Sequence, residues 1–75
     1  MKVKFSRHAK RRAKLYNIPE SAITDILSSI NLRQGDHEIV KNIAGLRYPV
    51  KIAVSVEGDT VKVITNYPLK KRRKK

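Results

Sequence analysis

The chain has no cysteine and no tryptophan, and its 75 residues include one phenylalanine and three glycines. Without cysteine there is no disulfide framework and no thiolate metal site. The fold must rest on packed aliphatic side chains, and a chain this short buries one small core at most. The scarcity of bulky aromatics counts against anchoring at a membrane surface. No apolar run approaches the roughly 20 residues of a spanning helix. The segment Met1-Lys2-Val3-Lys4-Phe5 lacks the apolar stretch of a signal peptide, so a cytoplasmic protein is expected. Acidic residues are the other shortage: six Asp plus Glu stand against 18 Lys plus Arg, a formal net charge of +12. That imbalance costs self-repulsion in a compact state. An anionic partner would relieve it, and nucleic acid, which binds cations by counterion release, is the first candidate.

What is present is organised by period. Val3 and Phe5 alternate with Lys2 and Lys4, a short strand or extended lead-in. Ser6 occupies an N-cap position. Arg7 to Tyr16 holds no Gly, Pro or β-branched residue, which predicts a helix. Its apolar stripe is thin: Ala9, Ala13 and Tyr16, with Leu15 beside them. The rest is Arg7, Lys10, Arg11, Arg12 and Lys14. Asn17-Ile18-Pro19 breaks this helix and opens a second at about Glu20 to Ile30, with Ala22, Ile23, Ile26, Leu27 and Ile30 at helical spacing.

From Asn31 to His37 the chain is polar, with a turn signal at Gly35-Asp36 and His37 read as a loop residue. The period then changes to two. Glu38 to Ile43 predicts a first strand. Val50, Ile52, Val54 and Val56 mark a second. Gly58-Asp59 suits a two-residue II′ turn. Val61, Val63, Thr65 and Tyr67 share one parity on a third strand that Pro68 ends. On that parity Lys51, Ser55, Lys62 and Asn66 line the open sheet face, and Tyr67 falls at the core edge. The expected fold is α+β: two N-terminal helices packed on one face of a three- to four-stranded antiparallel sheet. Residues 1–69 form the single domain. Residues 70–75, all basic, form a tail that adds non-specific phosphate affinity.

The order of elements and several residues resemble the RelE-type toxin nucleases, in the fold group that also holds barnase, EndoU and colicin RNase domains. The likeness is carried by Ser6, His8, Ala9 and Arg12, then Ile18, and finally Val63-Ile64-Thr65-Asn66-Tyr67-Pro68. It spans about residues 3 to 69. The strand cations and C-terminal Tyr of better-studied RelE toxins have no residue-by-residue counterpart here. The resemblance implies a RelE-like fold and a toxin-type endoribonuclease. It would cleave messenger RNA, free or on the ribosome, without metal or cofactor, and would be held by a cognate antitoxin.

Such cleavage needs a base for the 2′-hydroxyl, stabilisation of the phosphorane and a proton for the leaving oxygen. His8 is the natural titrating group. Arg12, four residues on and on the same helix face, could clamp a phosphate with two hydrogen bonds. Tyr67 could donate a proton or stack on a base. Lys51 and Lys62 would stabilise charge on the open face, with Arg7, Arg11, Lys70 and Lys71 as further RNA contacts. The alternative is a non-catalytic RNA-binding or ribosome-associated module, which needs the basic surfaces and no defined base. A DNA-reading helix-turn-helix is disfavoured, because the second helix carries Glu20 and Asp25 and no Lys or Arg.

Overall fold

Ser6 begins the helical layer. Its backbone is extended (φ −66°, ψ 163°) and its Oγ accepts from the Ala9 amide at 3.0 Å. One free amide of the first turn is thereby satisfied. The computed structural model describes residues 2–69, and the tail expected at Lys70 to Lys75 lies outside them. Helix α1 runs Arg7–Leu15. It ends in a Schellman motif. Asn17 takes a left-handed φ of 56°, the Ile18 amide donates to the Ala13 carbonyl at 2.8 Å, and the Asn17 amide donates to the Lys14 carbonyl at 3.3 Å. Ala13 and Ile18, which flank the motif, are both buried. Pro19 leads into α2, Glu20–Ser28, which buries Ile23 and Leu27. This helix stops short of Ile30. Ser29 Oγ donates to the Ile26 carbonyl at 2.9 Å, a side-chain bond that competes with continuation of the helix. Among the described residues no helix is long and apolar enough to cross a membrane.

Four strands complete the fold: β1 Lys2–Phe5, β2 Gly35–Lys41, β3 Val50–Glu57 and β4 Thr60–Pro68. They form one sheet in the order β1-β4-β3-β2. The architecture is α+β, with an antiparallel meander from β2 to β4. The fourth strand corrects the all-antiparallel expectation. β1 pairs with β4 in parallel, Lys4 beside Lys62 and Phe5 beside Val63, so the sheet is mixed. A strand that leaves into a helical crossover is free of the direction a hairpin would impose.

β2 begins at Gly35 rather than Glu38, which places His37 in a strand and not in a loop. Gln34 accounts for the early start. Its side chain accepts from the Gly58 amide at 2.8 Å and donates to the Gly58 carbonyl at 3.1 Å. The chain is thus pinned to the β3–β4 turn before the strand opens. In that turn Gly58 has φ +58° while Glu57 pairs with Thr60, the two-residue geometry expected of a Gly-first turn.

A break in register decides what each face carries. Val54 faces Val63, but Ala53 faces Thr65, so Ile64 has no cross-strand partner. This is a β-bulge, one extra residue on β4. It reverses the parity of everything after it. Asn66 lies opposite Ile52 and is 0% exposed; Tyr67 lies opposite Lys51, on the side away from the helices. Both reverse the expected placement. Ser6 and Asn66 hold α1 to this region. The Ser6 amide donates to the Val63 carbonyl at 2.9 Å, Ser6 Oγ to the Ile64 carbonyl at 2.8 Å, and Asn66 Nδ2 to the Ala9 carbonyl at 3.3 Å. Small residues at Ala9 and Ala13 let α1 come close to β4.

Candidate nucleic-acid interface

With Ala9 and Ala13 turned to the sheet, the remaining arc of α1 faces solvent. It carries Arg7, Lys10, Arg11 and Lys14, all exposed, and the helix has no acidic residue. On the flank between arc and core stand His8, Arg12 and Tyr16, at successive i, i+4 positions. The Arg12 guanidinium bridges the other two. Its Nε donates to His8 Nε2 at 3.4 Å, and its Nη1 donates to the Tyr16 hydroxyl at 3.3 Å. Both bonds are long, so the guanidinium is held loosely. The first uses the lone pair of His8 Nε2 as its acceptor. The Tyr16 hydroxyl accepts from Arg12 and keeps its own hydrogen free to donate.

The open sheet face differs in kind. Lys51 Nζ lies 3.1 Å from Glu38 Oε1. This is the one ion pair within 4.0 Å among the described residues. The Glu38 hydrogen bond, followed by its charge, holds the Lys51 ammonium above its ordinary pKa, and neighbouring Tyr67 adds to the effect. A shallow depression of about 420 Å³ on this face is lined by Asp36, Glu38, Ala53 and Ile64, with His37 and Val54. Two of those residues are carboxylates, Asp36 and Glu38, the second paired with Lys51. His37 itself is tied down, its Nε2 lying 2.6 Å from the Arg33 carbonyl oxygen.

The residues expected to act together therefore fall into two groups on opposite sides of the sheet. His8 and Arg12 are in contact, with Arg7 and Arg11 on the same helix. Tyr67, Lys51 and Lys62 lie on the open face, and Tyr67 does not join His8. Lys70 and Lys71 lie outside the described residues. Tyr16, Glu38 and Lys4 were not read as site residues from sequence, and Asn66 was placed on the open face instead of under α1. The spacing His8–Arg12–Tyr16 was a usable signal for the first, masked by its reading as part of the apolar stripe. Comparison with protein-family models, with curated proteins and with solved structures finds no match to this chain.

Proposed function

We propose that this protein binds RNA along α1 and cleaves it at His8 and Arg12, as a small RelE-like endoribonuclease of a toxin–antitoxin pair. One observation carries the reading: a guanidinium with no carboxylate partner among the described residues, bridging an exposed imidazole and a phenol on an acid-free helix. A phosphate arriving at Arg12 competes with His8 for the guanidinium. That competition frees Nε2 at the moment the substrate is in place.

His8 then takes the proton of the 2′-hydroxyl, and the 2′-oxygen attacks the adjacent phosphorus. Arg12 donates to the non-bridging oxygens as negative charge builds there. The bond to the 5′-oxygen breaks and that oxygen takes a proton from the Tyr16 hydroxyl. The products are a 2′,3′-cyclic phosphate and a free 5′-hydroxyl. Tyr16 fills the role first expected of Tyr67. A cognate antitoxin would neutralise the protein by laying an acidic segment over α1.

The test is incubation of purified protein with RNA, free and in a translation extract. Cleavage leaving 2′,3′-cyclic phosphate ends is expected from the native chain and lost in His8→Ala. Equal RNA integrity with both proteins sinks the enzymatic reading. A second reading, a non-catalytic RNA-binding module, is favoured by the separation of Tyr67 from His8. Expression in a bacterial host separates the two, since a toxin arrests growth in a His8-dependent way and a binder does not.

A further inference from the structure

The β1 edge carries uncompensated positive charge on both of its sides. On the open face Lys4 and Lys62 are register partners on neighbouring strands, both exposed. Neighbouring strands lie about 4.8 Å apart, and like charges placed side by side are destabilising. No carboxylate lies within 4.0 Å of either lysine among the described residues. Lys2 stands on the same face, two residues away. Lysines on an edge strand do discourage strand addition, but Lys62 sits one strand in, where that role does not apply. An anion between the two ammonium groups would relieve their repulsion.

The rows of the sheet say where such an anion stops. Lys4, Lys62, Ser55 and Asp36 form one cross-strand row, positive at the β1 edge and negative at the β2 edge. Lys2, Thr60 and Glu57 form the next, with the same polarity. A polyanion on this face is confined to its β1 half. From that half the shortest way onward is over the edge to α1. Residues 1–19 contain seven Lys and Arg and no Asp or Glu, so no carboxylate of that segment interrupts the way.

We infer that the RNA path is two-sided: it passes over the β1 edge, held by α1 on one face and by Lys4 and Lys62 on the other. The inference rests on the RNA-binding reading above and adds a second phosphate site to it. It also selects the form of the ligand. A duplex is stiff, with a persistence length of about 150 base pairs for DNA, and meets one face only. A single strand can turn between consecutive phosphates and engage both. The ligand is single-stranded RNA without stable secondary structure.

The experiment is a set of anisotropy titrations over a range of salt, with a short oligouridylate and with an RNA duplex of equal length. The native chain is compared with the double variant Lys4→Gln/Lys62→Gln, whose sites are exposed and whose fold is checked by circular dichroism. The double variant should bind the single strand about tenfold more weakly. Its salt slope should be shallower by about 1.4, two contacts at about 0.7 each, while its duplex affinity is unchanged. Lys62→Glu, which turns the like pair into an opposite one, should raise Tm and still lose single-strand affinity. Unchanged single-strand binding in the double variant, or equal losses on both ligands, overturns the two-sided path and leaves the RNA reading intact. Failure of the native chain to bind either RNA overturns the RNA reading and the path with it.

Discussion

Helices α1 and α2 are both nine residues long and lie in one layer, yet they are held by opposite means. α2 buries Ile23 and Leu27, has no side-chain cap at Pro19 and carries Glu20 and Asp25 without a single Lys or Arg. α1 buries only alanines, is capped by Ser6 and stitched to β4 by hydrogen bonds from Ser6 and Asn66, and carries five cations. The difference teaches a division of labour. Large aliphatic side chains stabilise the layer through α2. Small ones seat α1 so close to the sheet that most of its circumference is left for charge. The open sheet face shows the same contrast: Lys51 is paired with Glu38, whereas Lys4 and Lys62 have no carboxylate within 4.0 Å among the described residues.

If that division holds, stability and binding should respond to different helices. The largest stability effect is expected from Leu27→Ala, which empties a fully buried site in α2. It should cost about 2–5 kcal/mol in urea denaturation, while the folded fraction keeps its RNA affinity. The converse is the triple variant Arg7→Gln/Arg11→Gln/Arg12→Gln. Its RNA salt slope should drop by about 2, with stability unchanged or raised as self-repulsion falls. A triple variant that unfolds instead would break the comparison. Ser6→Ala is a smaller perturbation of α1, expected at about 1 kcal/mol for a lost N-cap.

The smallest effect concerns the paired side. Glu38→Gln should return the Lys51 pKa towards its ordinary value, read by NMR of the Lys51 side chain. The sign follows from the raised folded pKa. While Glu38 is ionised, the ion pair's contribution is present below pH 10.5 and is lost as pH rises through the raised value. On the alkaline side, the native and variant stabilities should therefore converge only above that raised value.

Much of this was legible in the sequence because local rules govern it. The Ser6 cap, the break at Asn17, the Gly58 turn and the alternation through β3 are each set by residues a few positions apart. The helix contact between His8 and Arg12 follows from spacing alone. What was not legible depends on distant partners. β1 runs parallel to β4 because of where the crossover places it, and no pattern within Lys2–Phe5 carries that information. The bulge was missed for a related reason. Ile64 is not a glycine, and nothing in β4 alone shows that Ser6 will reach across to the Ile64 carbonyl. The one local sign was Val63 followed directly by Ile64, two aliphatic residues where strict alternation wants one. Reading through it assigned Asn66 and Tyr67 to the wrong faces and joined Tyr67 to a site on the far side of the sheet. The cost of the reversal remains in the fold: among the described residues the buried Asn66 Oδ1 has no hydrogen-bond partner, which accords with a side chain kept for holding α1 rather than for packing.

β4 is the hub of the described structure, flanked by β1 and β3 and overlain by α1, and it follows the other three strands in chain order. Until residues 60–68 have left the ribosome, β1 has no neighbour and the alanine stripe of α1 has no seat. Contacts between segments so far apart in sequence close late. The basic helix can exist earlier, but the arrangement that fixes its position cannot. Whatever this protein does with a seated α1 therefore begins after translation of β4 and not during the synthesis of the segment that carries His8 and Arg12.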